Sequence, residues 1–426
     1  MKRIITKKNG YGPAPVRIHY AWVVLIVGMF MVFGALGLAR FGYSLVLPAM
    51  QAALGLDNTR AGGLATANLI GYLLLSLVGG AMASRYGPRF TVSAGMALVG
   101  AGMFFTGFSN SFWSAVLWRS VTGLGSGAVN VPVMGLMSAW FGPGLRGLAT
   151  GIAASGSSIA LIVTGPLVPR ILSAFPEKGW RFTWYLFSGI SMILTLLGMV
   201  LLRNEPSERG FNRPGGPEIN SSQQSSDRSR LRWGNVYRSP TVWHLGMVYA
   251  AFGFSYIIYV TFFVRYLVGE IGYTRQAAGN LFMLMGWFSL GCGFIWGGLS
   301  DRIGRRITLV LVQTIQTLAL SLFALWREPA GLTLSSVLFG LTAWSIPAIM
   351  AAACGDIAGH KLAPAALGFI TLFFGIGQAA GPSLAGVIAD MSGSFSGAFL
   401  LSAVVAFLGG LGAFFLKTSD IESSRS

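Results

Sequence analysis

Long apolar runs alternate with short polar segments along most of the chain, from residue 20 to residue 416. Each run approaches or exceeds the roughly 20 residues that an α-helix needs to cross the hydrocarbon core of a bilayer. The pattern therefore predicts twelve membrane-spanning helices, which we number spans 1 to 12. Their expected ranges are 20–50, 59–84, 90–108, 111–140, 146–174, 181–203, 241–268, 274–300, 306–326, 330–356, 364–391 and 395–416.

The longest polar segment, Asn204–Pro240, separates spans 1–6 from spans 7–12 and is rich in Ser, Arg, Pro and Gly. Such a composition cannot bury a hydrophobic core, so we expect a flexible linker. The predicted organisation is an N-terminal tail (1–19), a six-helix bundle (20–203), the linker (204–240), a second six-helix bundle (241–416) and a C-terminal tail (417–426).

Composition and charge agree with a membrane protein. Hydrophobic residues make up 54% of the 426 residues and charged residues only 10%, whereas soluble proteins carry about 25% charged residues. Lys and Arg concentrate in the N-terminal tail, the linker and the loops of the same side. Under the positive-inside rule, both termini are expected in the cytoplasm and the chain in a plasma membrane of the bacterial inner-membrane type. The net charge of +17 reflects this signal, so the expected partners are the lipid bilayer and a small molecule rather than a nucleic acid, and the expected state is a monomer.

The two predicted bundles share sequence patterns at matching places. Gly80–Arg89 follows span 2 and Gly297–Arg306 follows span 8, while Thr59–Gly62 resembles Thr274–Gly279 at the starts of these spans. Two related halves joined by a cytoplasmic linker are typical of alternating-access transporters. The expected fold class is an all-α polytopic membrane protein with twelve transmembrane helices in two pseudo-symmetric six-helix bundles.

Three motifs carry a family resemblance. The loop sequence Gly297–Arg306 is a complete G-x-x-x-D-R-x-G-R-[KR] motif, and Gly80–Arg89 is a second copy with Ser84 at the Asp position. Span 4 contains a complete R-x-x-x-G-x-G-x-G motif at Arg119–Gly127. On these residues the chain resembles the major facilitator superfamily along nearly its whole length.

Two further segments resemble narrower branches of that superfamily. Gly381–Phe395 in span 11 is similar to monocarboxylate porters and oxalate–formate exchangers, and Arg40–Pro48 resembles a poorly characterised bacterial branch. The resemblance implies gating or structural roles for Gly80, Arg85, Arg89, Gly297, Asp301, Arg302, Gly304, Arg305, Gly123, Gly125, Gly127, Gly381 and Pro382. Glycines let helices approach closely in lipid, and Asp301 is expected to pair with neighbouring basic residues. Ser84 leaves the gating role of the first loop copy open.

Two arginines lie inside predicted spans: Arg40 in span 1, where the apolar run contains no carboxylate, and Arg119 in span 4. At 1.5 Å per residue, Arg40 lies roughly 27 Å from the start of span 1 and Arg119 roughly 12 Å from the start of span 4, so both fall in the outer half of the bilayer. A charge there is costly unless it faces protein or water. An anion contact competes with snorkelling to the surface for Arg40, and a structural or coupling role competes with substrate contact for Arg119.

The resemblance implies that spans 1, 4, 7 and 10 line a central cavity. Tyr256 and Tyr259, three residues apart in span 7, share one helical face, where their hydroxyls suit a carboxylate and their rings equally suit packing. The candidate substrate-binding residues are Arg40, Tyr43, Arg119, Asn130, Tyr256, Tyr259, Trp344 and Gln378. For Asn130, Trp344 and Gln378, the alternative is packing or interhelical hydrogen bonding.

Acidic residues are absent from the middle of every predicted span, because all 13 Asp and Glu residues fall in loops, termini or helix ends. If the protein itself carried protons, we would expect a carboxylate side chain within the membrane to bind them. Exchange, or a proton that travels with the substrate, therefore fits better. A cavity that is positive and lacks carboxylates favours an anion.

The expected function is secondary active transport of a small organic anion, with a monocarboxylate as the best guess. Export of amphiphilic compounds is the alternative, since aromatic residues make up 13% of the chain. A membrane-embedded receptor or enzyme is disfavoured because the spans contain no nucleophile–base pair or metal cluster. The chain also contains no G-x-x-x-x-G-K-[ST] loop for ATP. No cofactor or metal is expected.

Overall fold

The structure is a computed structural model that describes residues 19–210, 214–215 and 234–416. The tails and most of the predicted linker lie outside these residues. Within them all regular secondary structure is helical, which confirms the predicted all-α fold. Eleven of the described helices are long and apolar enough to cross a membrane. The remaining predicted span is the 29-residue helix Phe112–Trp140, which carries Arg119.

The observed helices follow the predicted spans closely, with breaks in four of them. The helical bounds are Tyr20–Val32, Phe33–Phe41 and Gly42–Leu54 for span 1, Asn58–Tyr86 for span 2, Pro88–Phe108 for span 3, Phe112–Trp140 for span 4, Pro143–Ala154 and Gly156–Ala174 for span 5, and Gly179–Leu201 for span 6. In the second half they are Pro240–Gly269 for span 7, Arg275–Ser289 and Cys292–Ile303 for span 8, Arg305–Leu325 for span 9, Pro329–Thr342 and then Ser345–Ser392 for spans 10 and 11, and Ser396–Phe414 for span 12. Two short helices, Pro206–Arg209 and Gly234–Arg238, lie near the two ends of the predicted linker.

The structure corrects the expectation of a non-helical loop between spans 10 and 11. The helix Ser345–Ser392 continues through residues 357–363, which the hydrophobic pattern leaves between two spans. This stretch contains two alanines and one leucine, and both residue types are strong helix formers. Apolar periodicity marks where a helix enters lipid, but it does not require the helix to end there.

Both copies of the repeated loop motif use glycine for the same backbone conformation. Gly87, before span 3, has φ +84°, and Gly304, before span 9, has φ +89°. Residues with a Cβ rarely adopt positive φ, so glycine suits the abrupt change of direction between antiparallel helices. The predicted repeat is thus visible in the backbone of both halves.

The two bundles touch each other on one side of the molecule. We call the side that carries the linker the linker side, and the opposite side, which carries the turn at Gly55, the far side. Span 2 packs on span 11 and span 5 on span 8 through glycines: a Cβ at Gly62 would collide with the Pro382 carbonyl, and a Cβ at Gly165 with the Gly279 carbonyl. Close packing at small residues is the usual way helices associate in lipid.

Side-chain hydrogen bonds between the halves lie between the far side and the middle of the spans in the described residues. They include bonds that join Thr66 to Ala379 (2.8 Å), Ser383 to Thr66 (2.9 Å), Arg265 to Gln51 (2.8 Å), Ser289 to Ser158 (2.8 Å) and Trp344 to Ser158 (3.0 Å), and bonds of Asp390 to Asn58 and Thr59. At the linker-side ends of spans 2 and 8, a Cβ at Gly80, Gly297 or Gly298 would meet no atom within 4 Å. The halves are therefore closed together on the far side and more loosely packed towards the linker side.

Candidate functional site

Arg40 lies in an irregular part of span 1. Residues Phe33–Phe41 form a π-helix between two α-helical segments. Side chains of span 4 bind its backbone: Ser126 Oγ donates to the Ala35 carbonyl at 2.6 Å, and Arg119 Nη1 donates to the Ala39 carbonyl at 2.7 Å. Short π-helical segments are frequent at functional sites. Here span 4 stabilises the segment that carries Arg40.

The Arg40 guanidinium is buried, and one edge of it has no protein partner. The residue is 8% exposed, and its Nε and Nη2 atoms are buried without a hydrogen-bond acceptor. No carboxylate of the described residues forms an ion pair with it. Nε and Nη2 lie on the same edge of a guanidinium and form the fork that binds both oxygens of a carboxylate. Arg40 therefore retains the donors that a small anion requires.

The ring of Tyr72, in span 2, lies 4.2 Å from the Arg40 guanidinium carbon, measured to the ring centroid. Its hydroxyl accepts a hydrogen bond from Asn130 Nδ2 at 3.0 Å, and the Asn130 Oδ1 atom is buried without a partner. This cation–π contact holds the guanidinium while leaving its N–H groups free. Sequence reasoning missed Tyr72. Its depth in the membrane could have indicated it. Tyr72 and Arg40 are equally far along their helices from the turn that joins spans 1 and 2, so they lie at a similar level.

Arg119 has a different environment. It is 1% exposed, and it lies over the rings of Tyr43 at 4.6 Å and Trp184 at 5.1 Å. The Tyr43 hydroxyl donates to the Ala61 carbonyl at 2.8 Å. Arg119 thus connects spans 1, 4 and 6 inside the N-terminal bundle, and Tyr43 is engaged with span 2. These contacts favour a structural role for both residues, although the charges of Arg119 and Arg40 are near enough to interact.

The C-terminal bundle contributes Tyr256 and Gln378. The Tyr256 hydroxyl lies beside the Arg40 guanidinium and accepts a hydrogen bond from Gln378 Nε2. Gln378 Oε1 is buried and has no partner. The Tyr256 ring stacks in a series with Phe252 (centroids 4.9 Å apart) and lies nearly parallel to Phe374. Five residues from both halves, namely Asn130, Tyr72, Arg40, Tyr256 and Gln378, therefore form one connected polar group.

Trp344 lies at the break in span 10, between the helix that ends at Thr342 and the helix that begins at Ser345. Its ring packs on Phe41 (4.9 Å) and meets Tyr256 edge-on (6.1 Å). Its Nε1 donates to Ser158 Oγ of span 5 at 3.0 Å. Trp344 therefore borders the polar group and bridges the two halves.

Tyr259 does not join this group. Its hydroxyl is 2.8 Å from Ser335 Oγ, and its ring stacks on Phe339 at 4.2 Å, inside the C-terminal bundle. The expectation that Tyr256 and Tyr259 act together is not supported, because residues three apart on a helix differ in direction enough to face different neighbours. The aromatic packing of Tyr259 agrees with the alternative given in the sequence analysis, in which the tyrosine ring packs against other helices.

The charged motif residues lie on the linker side, away from Arg40. Arg305 forms ion pairs with Asp301 (2.5 Å) and Asp356 (3.1 Å), which connects the loop after span 8 to the helix of span 10. In the first half, where Ser84 replaces the Asp, Arg89 Nε donates to the Met199 carbonyl at 2.7 Å and Arg85 lies 5.4 Å from the Tyr86 ring. Arg302 and Gly304 lie at the exposed start of the same turn, beside Arg305. The ion pairs of the second half are thus replaced by backbone and aromatic contacts in the first.

The glycine motif of span 4 provides close helix packing. A Cβ at Gly123 would collide with the Asn68 carbonyl, one at Gly125 would lie 2.6 Å from the Gly95 carbonyl, and one at Gly127 would lie 2.5 Å from the Tyr72 carbonyl. In span 11, a Cβ at Gly381 would lie 3.0 Å from the Phe254 carbonyl, and Pro382 presents its carbonyl to Gly62 across the interface. Gly80 and Gly297 have open space instead.

Comparison with known proteins settles the family. The model of a family described as the uncharacterised MFS-type transporter YbfB matches residues 32–413. The chain belongs to this family of major facilitator superfamily transporters. The fold agrees: a bacterial homologue of the human lysosomal transporter Spinster, solved in an inward-facing and unoccupied conformation, superposes with a TM-score of 0.70 at 16% identity, over 97% of this chain and 98% of that one.

Several curated relatives of this transporter resemble it along most of its length. The hexuronate transporter of Bacillus subtilis is 24% identical over 388 residues (88% of this chain, 89% of the relative). The probable sulfoacetate transporter SauU of Cupriavidus necator is 25% identical over 424 residues (94% and 95%). The oxalate:formate antiporter of Oxalobacter formigenes is 27% identical over 339 residues (78% and 76%). The expectation of a multi-pass membrane transporter rather than an enzyme is confirmed.

Proposed function

We propose that this transporter moves a small organic anion across the plasma membrane by alternating access, and that Arg40 binds the carboxylate of the substrate. The observation that carries the proposal is the unpaired Nε–Nη2 edge of a buried guanidinium. Leaving such donors unsatisfied costs free energy, and a carboxylate would satisfy both. The names of three relatives refer to hexuronate, sulfoacetate and oxalate, which supports an organic anion.

A hydroxylated monocarboxylate fits the surroundings of Arg40 better than an unsubstituted one. The side-chain amides of Asn130 and Gln378 each donate a hydrogen bond to a tyrosine hydroxyl through the nitrogen. The amide oxygen of each is buried and has no hydrogen-bond partner. Whichever way each amide is turned, a hydroxyl can serve the free end, because it both donates and accepts. An acid with a hydroxyl near its carboxylate would therefore satisfy groups that propionate cannot.

The proposed cycle is exchange, or transport with a proton carried by the substrate. Asp and Glu are not found among the buried residues of the described chain, so a carboxylate relay beside Arg40 has no support there. In this cycle the observed conformation is the one closed on the far side, and the linker and both termini face the cytoplasm.

Counterflow in proteoliposomes tests the proposed substrate class. Vesicles preloaded with glycerate, propionate, a dicarboxylate, an amino acid or a cationic dye are each exposed to the matching labelled compound. We expect accumulation of carboxylates only, and faster accumulation of glycerate than of propionate. Accumulation of the dye alone would replace the proposal with export of amphiphilic compounds, and equal rates for the two acids would remove the role of the amides.

A further inference from the structure

Among the described residues, the carboxylate of Asp390 connects the two halves at the far side. Asp390 lies near the end of span 11, and its acceptors meet the first turn of span 2, in the other half. Its Oδ1 accepts a hydrogen bond from the Asn58 N–H at 3.0 Å, and its Oδ2 accepts from the Thr59 N–H at 2.7 Å and the Thr59 hydroxyl at 2.5 Å. Three hydrogen bonds thus reach across the interface to one side chain.

The first N–H groups of a helix have no acceptor within the helix, and the helix dipole makes this end partially positive. A carboxylate placed there therefore gains both hydrogen bonds and favourable electrostatics. Span 2 already has a cap of its own, because Asp57 Oδ1 accepts from the Arg60 N–H at 2.7 Å. Asp390 is a second acidic group on the same helix end, supplied by the opposite half.

We propose that Asp390 is a latch that stabilises the far-side-closed state of the transport cycle. Its contacts require spans 2 and 11 to be together, whereas the Asp57 cap is complete within the first half in any conformation. The latch stands at the end of the close interface between these spans: one turn before it, a Cβ at Gly386 would collide with the Asn58 carbonyl. Separation of the halves on this side would return the Asp390 carboxylate and the span 2 N–H groups to water.

The size of the effect follows from exposure. Asp390 is exposed at the surface, so solvent and salt weaken its interactions relative to a buried pair. We expect the latch to favour the far-side-closed state by roughly two- to fivefold, as for an exposed charge near a helix N-terminus. Raised ionic strength should reduce that preference. The latch presupposes the proposed alternating access but not the identity of the substrate.

Distance measurements between spin labels test the latch without substrate. Trp113, at the far-side start of span 4, and Leu325, at the far-side end of span 9, are both well exposed and belong to opposite halves. We would label Cys at these two positions in a full-length protein in which Cys292 and Cys354 are replaced by Ala. In Asp390→Asn, the population with the longer distance should rise roughly two- to fivefold, because the amide group presents N–H where the helix also presents N–H.

The matched control is Asp57→Asn, which makes the same charge change at the same helix end but alters a cap within one half. It should leave the distance distribution as in the parent protein. Thr59→Val removes only the hydroxyl donor and should shift the distribution in the same direction by a smaller factor, which keeps the test available if Asp390→Asn does not fold. An unchanged distribution in Asp390→Asn, or an equal shift in Asp57→Asn, would overturn the latch. A shift without any anion counterflow would uphold the latch and reject the proposed substrate class.

Discussion

Two buried arginines in neighbouring helices differ in how far their donors are satisfied. Arg119 donates to the backbone of span 1, packs on two aromatic rings and leaves only its Nε unpaired, while Arg40 leaves both Nε and Nη2 of one guanidinium edge unpaired. The surroundings of the two arginines therefore favour a structural role for Arg119 and the proposed binding role for Arg40. The difference can be measured as stability.

We expect Arg119→Gln to lower the melting temperature of the detergent-solubilised transporter more than Arg40→Gln does. The first substitution removes the donor to the Ala39 carbonyl, and leaving a buried group unsatisfied costs about 1–3 kcal/mol. The second removes two donors that have no acceptor in the protein, together with the cation–π contact to Tyr72, so it should lower stability less than the first. Equal destabilisation by both variants would contradict the assigned difference.

The residues of the site could be predicted only in part. Arg40, Asn130, Tyr256 and Gln378 were accessible to sequence reasoning because polar groups in a predicted span are uncommon and must be satisfied. Tyr72 was not found, since a tyrosine in an apolar helix resembles ordinary core packing. Tyr259 follows from its place in span 7 and its spacing from Tyr256, but helical spacing cannot say which neighbouring helix a side chain meets.

At the scale of elements, the apolar pattern predicts the spans but not their irregularities. The π-helix Phe33–Phe41 depends on Ser126 and Arg119 of span 4, which bind carbonyls of span 1. The break at Trp344 likewise has partners on other spans, because Cys292 accepts from the Trp344 N–H. These features arise from contacts between helices, and no local sequence pattern records such contacts.

The glycines of span 4 offer a test of helix packing with an internal control. Gly123→Val should strongly reduce the yield of folded transporter, because its side chain would collide with the Asn68 carbonyl on span 2. Gly135→Val, in the same helix, has no atom within 4 Å of its Cβ and should be tolerated. Monodisperse yield in size-exclusion chromatography measures both. Similar yields for the two variants would exclude close packing as the function of the motif.

At the scale of the whole molecule, the two halves meet at the far side and contribute jointly to the site around Arg40. Spans 1, 2 and 4 supply Arg40, Tyr72 and Asn130, whereas spans 7 and 11 supply Tyr256 and Gln378. A substrate held between groups from both halves would link binding to their relative movement. The internal repeat in the sequence predicted two halves, but only the structure shows which residues of each half converge.

The most direct test of this account is the affinity of folded, detergent-solubilised Arg40 variants for a carboxylate that counterflow has identified as a substrate. Arg40→Ala should weaken binding by about ten- to a hundredfold, since a charge-assisted hydrogen bond contributes about 1.5–3 kcal/mol and each 1.4 kcal/mol is a factor of ten. Arg40→Lys should restore only part of the affinity, because an ammonium group lacks the two-pronged geometry of the Nε–Nη2 edge. An Arg40→Ala protein that folds and binds the carboxylate as tightly as the parent would contradict the assignment of Arg40 as the anion-binding residue.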